Sequence, residues 1–173
     1  IYWKASTGED LSTITSHTRD TIEYWLHATV PTLDRFAPIG DLARSSIPEI
    51  YDYHENLVHE AVVLSRGTVQ ARHGTWWLQN NSVNGVTNSF NLKGDLLPYP
   101  DTALAPTDLA YHAVGTGHFF ARTSWTTDAT WMSFFAGPYE ESHAHQDQGA
   151  FTLFRRDWLA VTSNIWSHSG INQ

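Results

Sequence analysis

A chain of 173 residues with no cysteine cannot rest on disulfides, thiolate metal sites or a cysteine nucleophile. Its formal net charge of −8, with histidine neutral, runs against nucleic acid as a partner, which calls for a basic surface. The 41% of hydrophobic residues supports a sizeable core, yet no stretch reaches the roughly 18 consecutive apolar residues needed for a membrane span.

The absence of cysteine leaves the compartment open. No basic start leads into an apolar run, the first residue is Ile1, and Gly170-Ile171-Asn172-Gln173 forms neither a tail nor a cap. The expectation is a piece of a longer chain. Ten His and eight Trp residues are high counts. Trp faces stack on the C–H faces of sugars, and they equally fill cores.

The first half has helical periodicity. Thr7-Gly8-Glu9-Asp10 offers a helix start of the Thr-x-x-acid kind, and Leu11, Ile14, Ile22, Trp25 and Leu26 follow at helical spacing up to Pro31. Arg35-Phe36-Ala37-Pro38-Ile39-Gly40-Asp41 reads as a loop, with Asp41 stabilising a turn. Ser46, Pro48 and Glu49 predict a second helix start, with Ile47, Ile50, Tyr51, Leu57, Val58, Ala61 and Val62 on one stripe and Gly67 as terminator. His54 reads as a core histidine near Tyr51 and Leu57. A shorter helix runs through Trp76, Trp77 and Leu78, and residues 80–108 read as a long connection.

The period then changes. Tyr111 to Arg122, Ala129 to Ala136, Gln148 to Phe154 and Trp158 to Thr162 are short aromatic and β-branched runs, and Arg155-Arg156-Asp157 between the last two predicts a hairpin. Helices followed by strands indicate an α+β chain or two domains.

The sharpest chemical feature is Ser142-His143-Ala144-His145-Gln146-Asp147, preceded by Tyr139-Glu140-Glu141. In an extended segment His143, His145 and Asp147 project to one side. Such an N/N/O set suits zinc with an open position, and Asp147 could instead orient a ring. Two surface histidines beside a solvated Asp account for the spacing as well. Near Tyr111, the run Gly115-Thr116-Gly117-His118 leads to Arg122. The glycines allow close approach of a ligand or a partner strand, or mark a bulge. Arg122 could fork onto a sugar carboxylate or sulfate, or pair with an Asp or Glu. No P-loop, Gly-x-Ser-x-Gly or His-Glu-x-x-His pattern is present.

Taken in order, these motifs resemble the heparinase II/III-like polysaccharide lyases over roughly residues 30 to 170. Pro38-Ile39-Gly40-Asp41 is similar to a loop late in their helical toroid. Gly117-His118-Phe119-Phe120-Ala121-Arg122 resembles the first strand of their β-sandwich, and Ser142 to Phe151 their His-x-His-x-Asp segment. Trp158 to Thr162 resembles the strand after the hairpin.

The resemblance implies helices of a partial (α/α) toroid over 1–98, followed by the start of an antiparallel β-sandwich over 99–173. It implies β-elimination on an acidic, uronic-acid-containing polysaccharide or oligosaccharide, in a periplasmic or secreted bacterial setting. His143 then corresponds to the catalytic-cleft histidine that helps neutralise the substrate acid, and His145, with Asp147, to a zinc site. Arg122, Tyr139 and Glu141 are the substrate-binding candidates. The usual catalytic Tyr is expected before Ile1. Ser163 and Asn164 stand where a ligand Asp is expected, and His168 does not match the later ligand His.

Two other readings stand beside it. Gly137 with His143-x-His145 also matches the opening of a cupin motif, although Gly149 or Ala150 occupies the place of its Glu. A non-catalytic carbohydrate-binding module would use the Trp residues without any elimination.

Overall fold

The fold is given by a computed structural model, and the description covers residues 2–38, 49–82, 99–138 and 148–161. Four helices come first: α1 (Tyr2–Thr7), α2 (His17–Ala28), α3 (Asp52–Leu64) and α4 (Val69–Asn80). Five strands follow: β1 (Ala110–Ala113), β2 (His118–Arg122), β3 (Trp131–Phe135), β4 (Phe151–Arg155) and β5 (Asp157–Ala160). The α+β class expected from the change of period is what the chain adopts. Backbone packing groups Ile1–Leu26 with Tyr51–Pro106, and His27–Ile50 with Thr107–Gln173.

In the first unit the single long helix expected from Thr7 onward is broken. Gly8 sits at φ +78 and ends α1, its N–H bonding Lys4 O. Asp10 then caps a 3-10 turn (Leu11–Thr13) by accepting from Ser12 N, and α2 begins only at His17. The apolar pattern is thus interrupted between Thr13 and His17, and Leu11 and Ile14 are left exposed. Helix α3 starts later than Ser46-Pro48-Glu49 suggested. Ser46 and Pro48 lie outside the described residues, while Glu49 forms an antiparallel bridge with Arg35 and is not helical. Gly67, at φ +80, lies just past the end of α3 as expected. Thr68 accepts from Ala71 N to begin α4.

Ile22, Leu26, Val58, Val62, Ala71 and Trp77 form this unit's core. Gly74 lets α4 approach closely. A Cβ there would lie 3.0 Å from Ile22 Cγ2 and nearer still to Val62 Cγ2. His73 Nδ1 pairs with Glu23 Oε1 at 3.0 Å, tying α4 to α2. Leu57, expected on the buried stripe, is exposed.

His54 closes the first turn of α3: its Nδ1 accepts from Tyr51 N at 3.0 Å. The ring is buried against Trp25, 5.0 Å between centroids, and Tyr53, 4.1 Å. It is the core histidine read from the sequence, and it takes the place that Glu or Gln holds in a capping box.

The second unit is built on one sheet in the order β1-β2-β3-β4-β5, every neighbour antiparallel. The expected strand from Tyr111 to Arg122 is in fact β1 and β2 joined by a tight turn, because Gly117 adopts φ +67 and both Thr116 N and Gly117 N bond Ala113 O. The hairpin at Arg155-Arg156-Asp157 forms as expected, with Arg156 at φ +64 and a register shift at Leu153/Phe154. Phe120, Arg122, Trp131, Ser133, Phe135, Thr152 and Phe154 share the buried face. On the other face Phe119, Phe134 and Phe151 stand in register, and Phe134 and Phe151 are exposed. An apolar outer face of this kind suits one layer of a sandwich.

Burial drives the His54 imidazole down to about 4 from an ordinary 6.5, against a smaller upward pull from the Asp52 carboxylate. The folded state therefore holds the neutral ring, whose contribution is full above pH 6.5 and is lost as pH falls toward 4. A proton would also remove the Nδ1 acceptor and place positive charge at a helix N-terminus. Acid unfolding monitored by circular dichroism is expected to be shallower between those pH values in His54→Gln, which keeps an acceptor without titrating. An unchanged profile would remove His54 from the acid response.

Candidate functional site

The buried face of the sheet is covered by the chain that leaves α2. Residues 28–37 fold back on themselves: Val30 N bonds Arg35 O, Ala37 N bonds Ala28 O at 2.8 Å, and Thr29 bridges Phe36. Leu33, buried at φ 56, turns the tip. Val30, Leu33, Phe36 and Ala37 then join Phe120, Trp131 and Phe154 in one core.

Arg122 holds this segment in place. It is 5% exposed, and its Nη2 donates to Thr29 O at 2.7 Å and His27 O at 3.3 Å. Trp131 Nε1 donates to the same His27 O at 2.8 Å. The guanidinium lies 3.7 Å above the Trp125 ring. The His27 ring stacks on Tyr111 at 5.3 Å and meets Trp125 edge-on at 5.2 Å, and Trp125 Nε1 donates to Asp108 O. Burial lowers the Arg122 pKa to about 9, which still leaves it charged at neutral pH.

Of the two partners expected for Arg122, a sugar acid or an Asp or Glu, the hydrogen bonds above use neither. They go to backbone carbonyls. His27 was missed as its companion because nothing in local spacing connects residues that lie 95 positions apart in the chain, whereas Trp125 follows on the same stretch and Trp131 is its cross-strand partner.

Two motif-bearing stretches leave this unit, and the described residues show how each is anchored. The stretch holding Ile39-Gly40-Asp41 departs after Pro38 and returns at Glu49 and Ile50. There Arg35 bridges Glu49, and Ile50 N bonds Asp34 O at 3.2 Å. Arg35 is itself held between Asp34, at 3.2 Å, and the Phe154 ring, at 5.2 Å. The stretch holding Tyr139, Glu141, His143, His145 and Asp147 is the β3–β4 connection. It departs after Phe135 and returns at Gly149 and Ala150, with Gly149 N bonding Phe135 O at 2.6 Å and Phe135 N bonding Ala150 O at 3.0 Å. Those five candidates, with Asp41, Ser163, Asn164 and His168, lie outside the described residues. Among the described residues no group of three or more His, Asp or Glu is placed to hold a metal, and no helix is long and apolar enough to cross a membrane.

Comparison with solved structures gives the fold. The heparan sulfate lyase HepC of Pedobacter heparinus matches with a TM-score of 0.56 at 17% identity, over 87% of this chain and 20% of that one. A heparinase III gene product matches with a TM-score of 0.51 at 17% identity, over 79% and 17%. The same protein with methylated lysines matches at 0.56, over 87% and 19%. No family model and no curated protein matches the chain.

Arg122→Met tests the grip on the helix exit. It removes the side-chain donor to Thr29 O and the longer of the two to His27 O, which Trp131 Nε1 still serves; a buried carbonyl left without a donor costs roughly 1–3 kcal/mol. Chemical denaturation is expected to show a loss on that scale, only partly restored in Arg122→Lys, which lacks the planar fork. Wild-type stability in Arg122→Met would show that the carbonyls find other donors. Spanning about a fifth of the lengths of these solved lyases, the chain has the fold of part of a heparinase III-type enzyme, with helices leading into an antiparallel sheet.

Proposed function

We propose that the chain is part of a polysaccharide lyase that cleaves uronic-acid-containing polysaccharide by β-elimination, in a periplasmic or secreted setting. The observation that carries this reading is the likeness to HepC over 87% of the chain, helices and sheet together. A cupin-like domain or a free-standing carbohydrate-binding module has no comparable support. The order of the sequence motifs agrees with it, and so does the anchoring of both motif-bearing stretches on one unit.

Elimination removes the proton beside the uronate carboxylate, forms a C=C bond and expels the glycosidic oxygen. The enzyme must neutralise the carboxylate, accept the proton and protonate the leaving oxygen. On this reading His143 faces the substrate and offsets its acid, as an imidazolium or as a hydrogen-bond donor. Tyr139 and Glu141, four and two residues before it, contact the sugar. Arg122, bound to the His27 and Thr29 carbonyls, contributes by holding the frame and not by touching the acid.

His145 and Asp147 would hold zinc, their imidazole and carboxylate donors suiting that ion. Ser163 and Asn164 are weaker donors at the place of a third ligand. Elemental analysis of the full-length protein is expected to find zinc that His145→Ala loses; equal content in both would remove His145 from the ligands.

The activity test is the appearance of the ultraviolet absorbance of a conjugated C=C when the full-length protein meets heparan sulfate, alginate or another uronan. His143→Ala is expected to lower that rate by roughly 10²-fold or more, the scale of a lost acid–base or electrostatic group. Sugar binding without any unsaturated product would support the binding-module reading in its place.

A further inference from the structure

Among the described residues, two that are not glycine adopt a left-handed φ: Leu33 at 56 and Arg156 at 64. Such a backbone costs free energy for any residue with a Cβ, and glycine relieves that cost. At Leu33 burial in the core offsets it. Arg156 is exposed at the tip of the β4–β5 hairpin, so packing of its side chain does not. A strained residue that the fold does not compensate points to a use for its side chain.

Arg155, just before it, is exposed as well. These are the only consecutive cations among the ten Lys and Arg residues, in a chain of net charge −8. The carboxylates nearby are engaged elsewhere. Asp157 lies 3.8 Å from Arg35 Nη1 and accepts from Trp158 N at 2.8 Å. Asp128 accepts from Thr126 Oγ1 at 2.7 Å. That hydroxyl is the main cause that holds the Asp128 carboxyl below the usual range, with Arg156 and Arg155 adding a smaller pull the same way. Among the described residues neither Arg155 nor Arg156 enters an ion pair. The tip therefore presents two guanidinium groups to solvent.

The tip is also distant from the β3–β4 connection. Strand β4 begins at Phe151, where that connection returns, and ends at Arg155. The usual rise per residue puts roughly 13 Å between them.

We propose that Arg155 and Arg156 form a second contact point for an anionic polysaccharide, one strand length from the β3–β4 connection. A guanidinium matches a carboxylate or a sulfate with two parallel hydrogen bonds. A polymer held at two points gains apparent affinity without any change in the chemistry. The choice of an acidic saccharide rests on the lyase reading, while the binding itself is measured without turnover.

The full-length protein is compared with Arg156→Gly, Arg155→Gln and the two combined. Arg66→Gln, at an exposed arginine of the first unit, controls for the loss of charge. The probes are immobilised heparan sulfate, immobilised alginate and neutral dextran, eluted with sodium chloride. An acidic column is expected to hold wild type, and dextran to let it pass. The double variant should elute at lower salt, with affinity down roughly 3- to 10-fold, the scale of two exposed charge contacts. Arg66→Gln should elute with wild type. Arg156→Gly, freed of its strain, should bind less and yet melt at wild-type temperature or roughly 1–3 °C above it. In turnover the double variant should show a KM for the polymer raised several-fold, with kcat unchanged and a short oligosaccharide of the same sugars processed as by wild type.

Elution of the double variant with wild type, or an equal shift in Arg66→Gln, overturns the proposal. So does a wild type that neither acidic column retains. If the double variant does not fold, the single variants carry the test, and wild-type retention in both overturns it equally. Retention that falls as expected, with no unsaturated product from any protein, sinks the lyase reading and leaves the contact point standing. Product from wild type, with retention that the arginines do not move, does the reverse.

Discussion

The second unit depends on one carbonyl. His27 O, at the end of α2, accepts from Trp131 Nε1 and from Arg122 Nη2, and Arg122 reaches on to Thr29 O. The last turn of a helix leaves carbonyls without intrahelical partners, and burying them without donors is costly. Here the donors come from two neighbouring strands, paired as Arg122↔Trp131. The helix exit and the sheet are thus joined by the need to satisfy the same polar groups. Residues 28–37 close over Phe120, Trp131 and Phe154 as the apolar consequence of that polar contact.

Burying a guanidinium carries a desolvation cost that charge-assisted hydrogen bonds and a flat aromatic partner offset. Arg122 has both, on the carbonyls and over Trp125. Lys could not do the same work, because its ammonium presents no plane to stack and no fork to span two carbonyls. The arrangement directs this cation into the frame.

Around this frame the two motif-bearing stretches share a logic. Each begins and ends on backbone contacts of the same unit: Arg35 with Glu49 and Asp34 with Ile50 for one, Phe135 with Gly149 and Ala150 for the other. Loops that carry chemistry need rigid stems more than rigid tips. The stems here are held mainly by main-chain hydrogen bonds, whose geometry side-chain substitution disturbs little.

Local physics made much of this legible in the sequence. The change from helical to alternating period separated helices from strands. Gly67 marked the end of α3, the polar triplet at 155–157 marked a hairpin, and His54 read as a core residue. Local physics also misled where a single backbone preference outweighed a pattern. The helix expected from Thr7 onward is interrupted between Thr13 and His17, and Gly117 folded one apparent strand into two.

The partner of Arg122 was beyond any local rule. A charged residue in a strand reads as a candidate for a ligand or an ion pair, and only the tertiary structure brings it against carbonyls 93 and 95 residues earlier in the chain. By itself the sequence determined element type, through periodicity and turn chemistry acting over a few residues. The tertiary structure decided which polar groups are buried together, because hydrogen-bond satisfaction and close packing act between segments far apart in the chain.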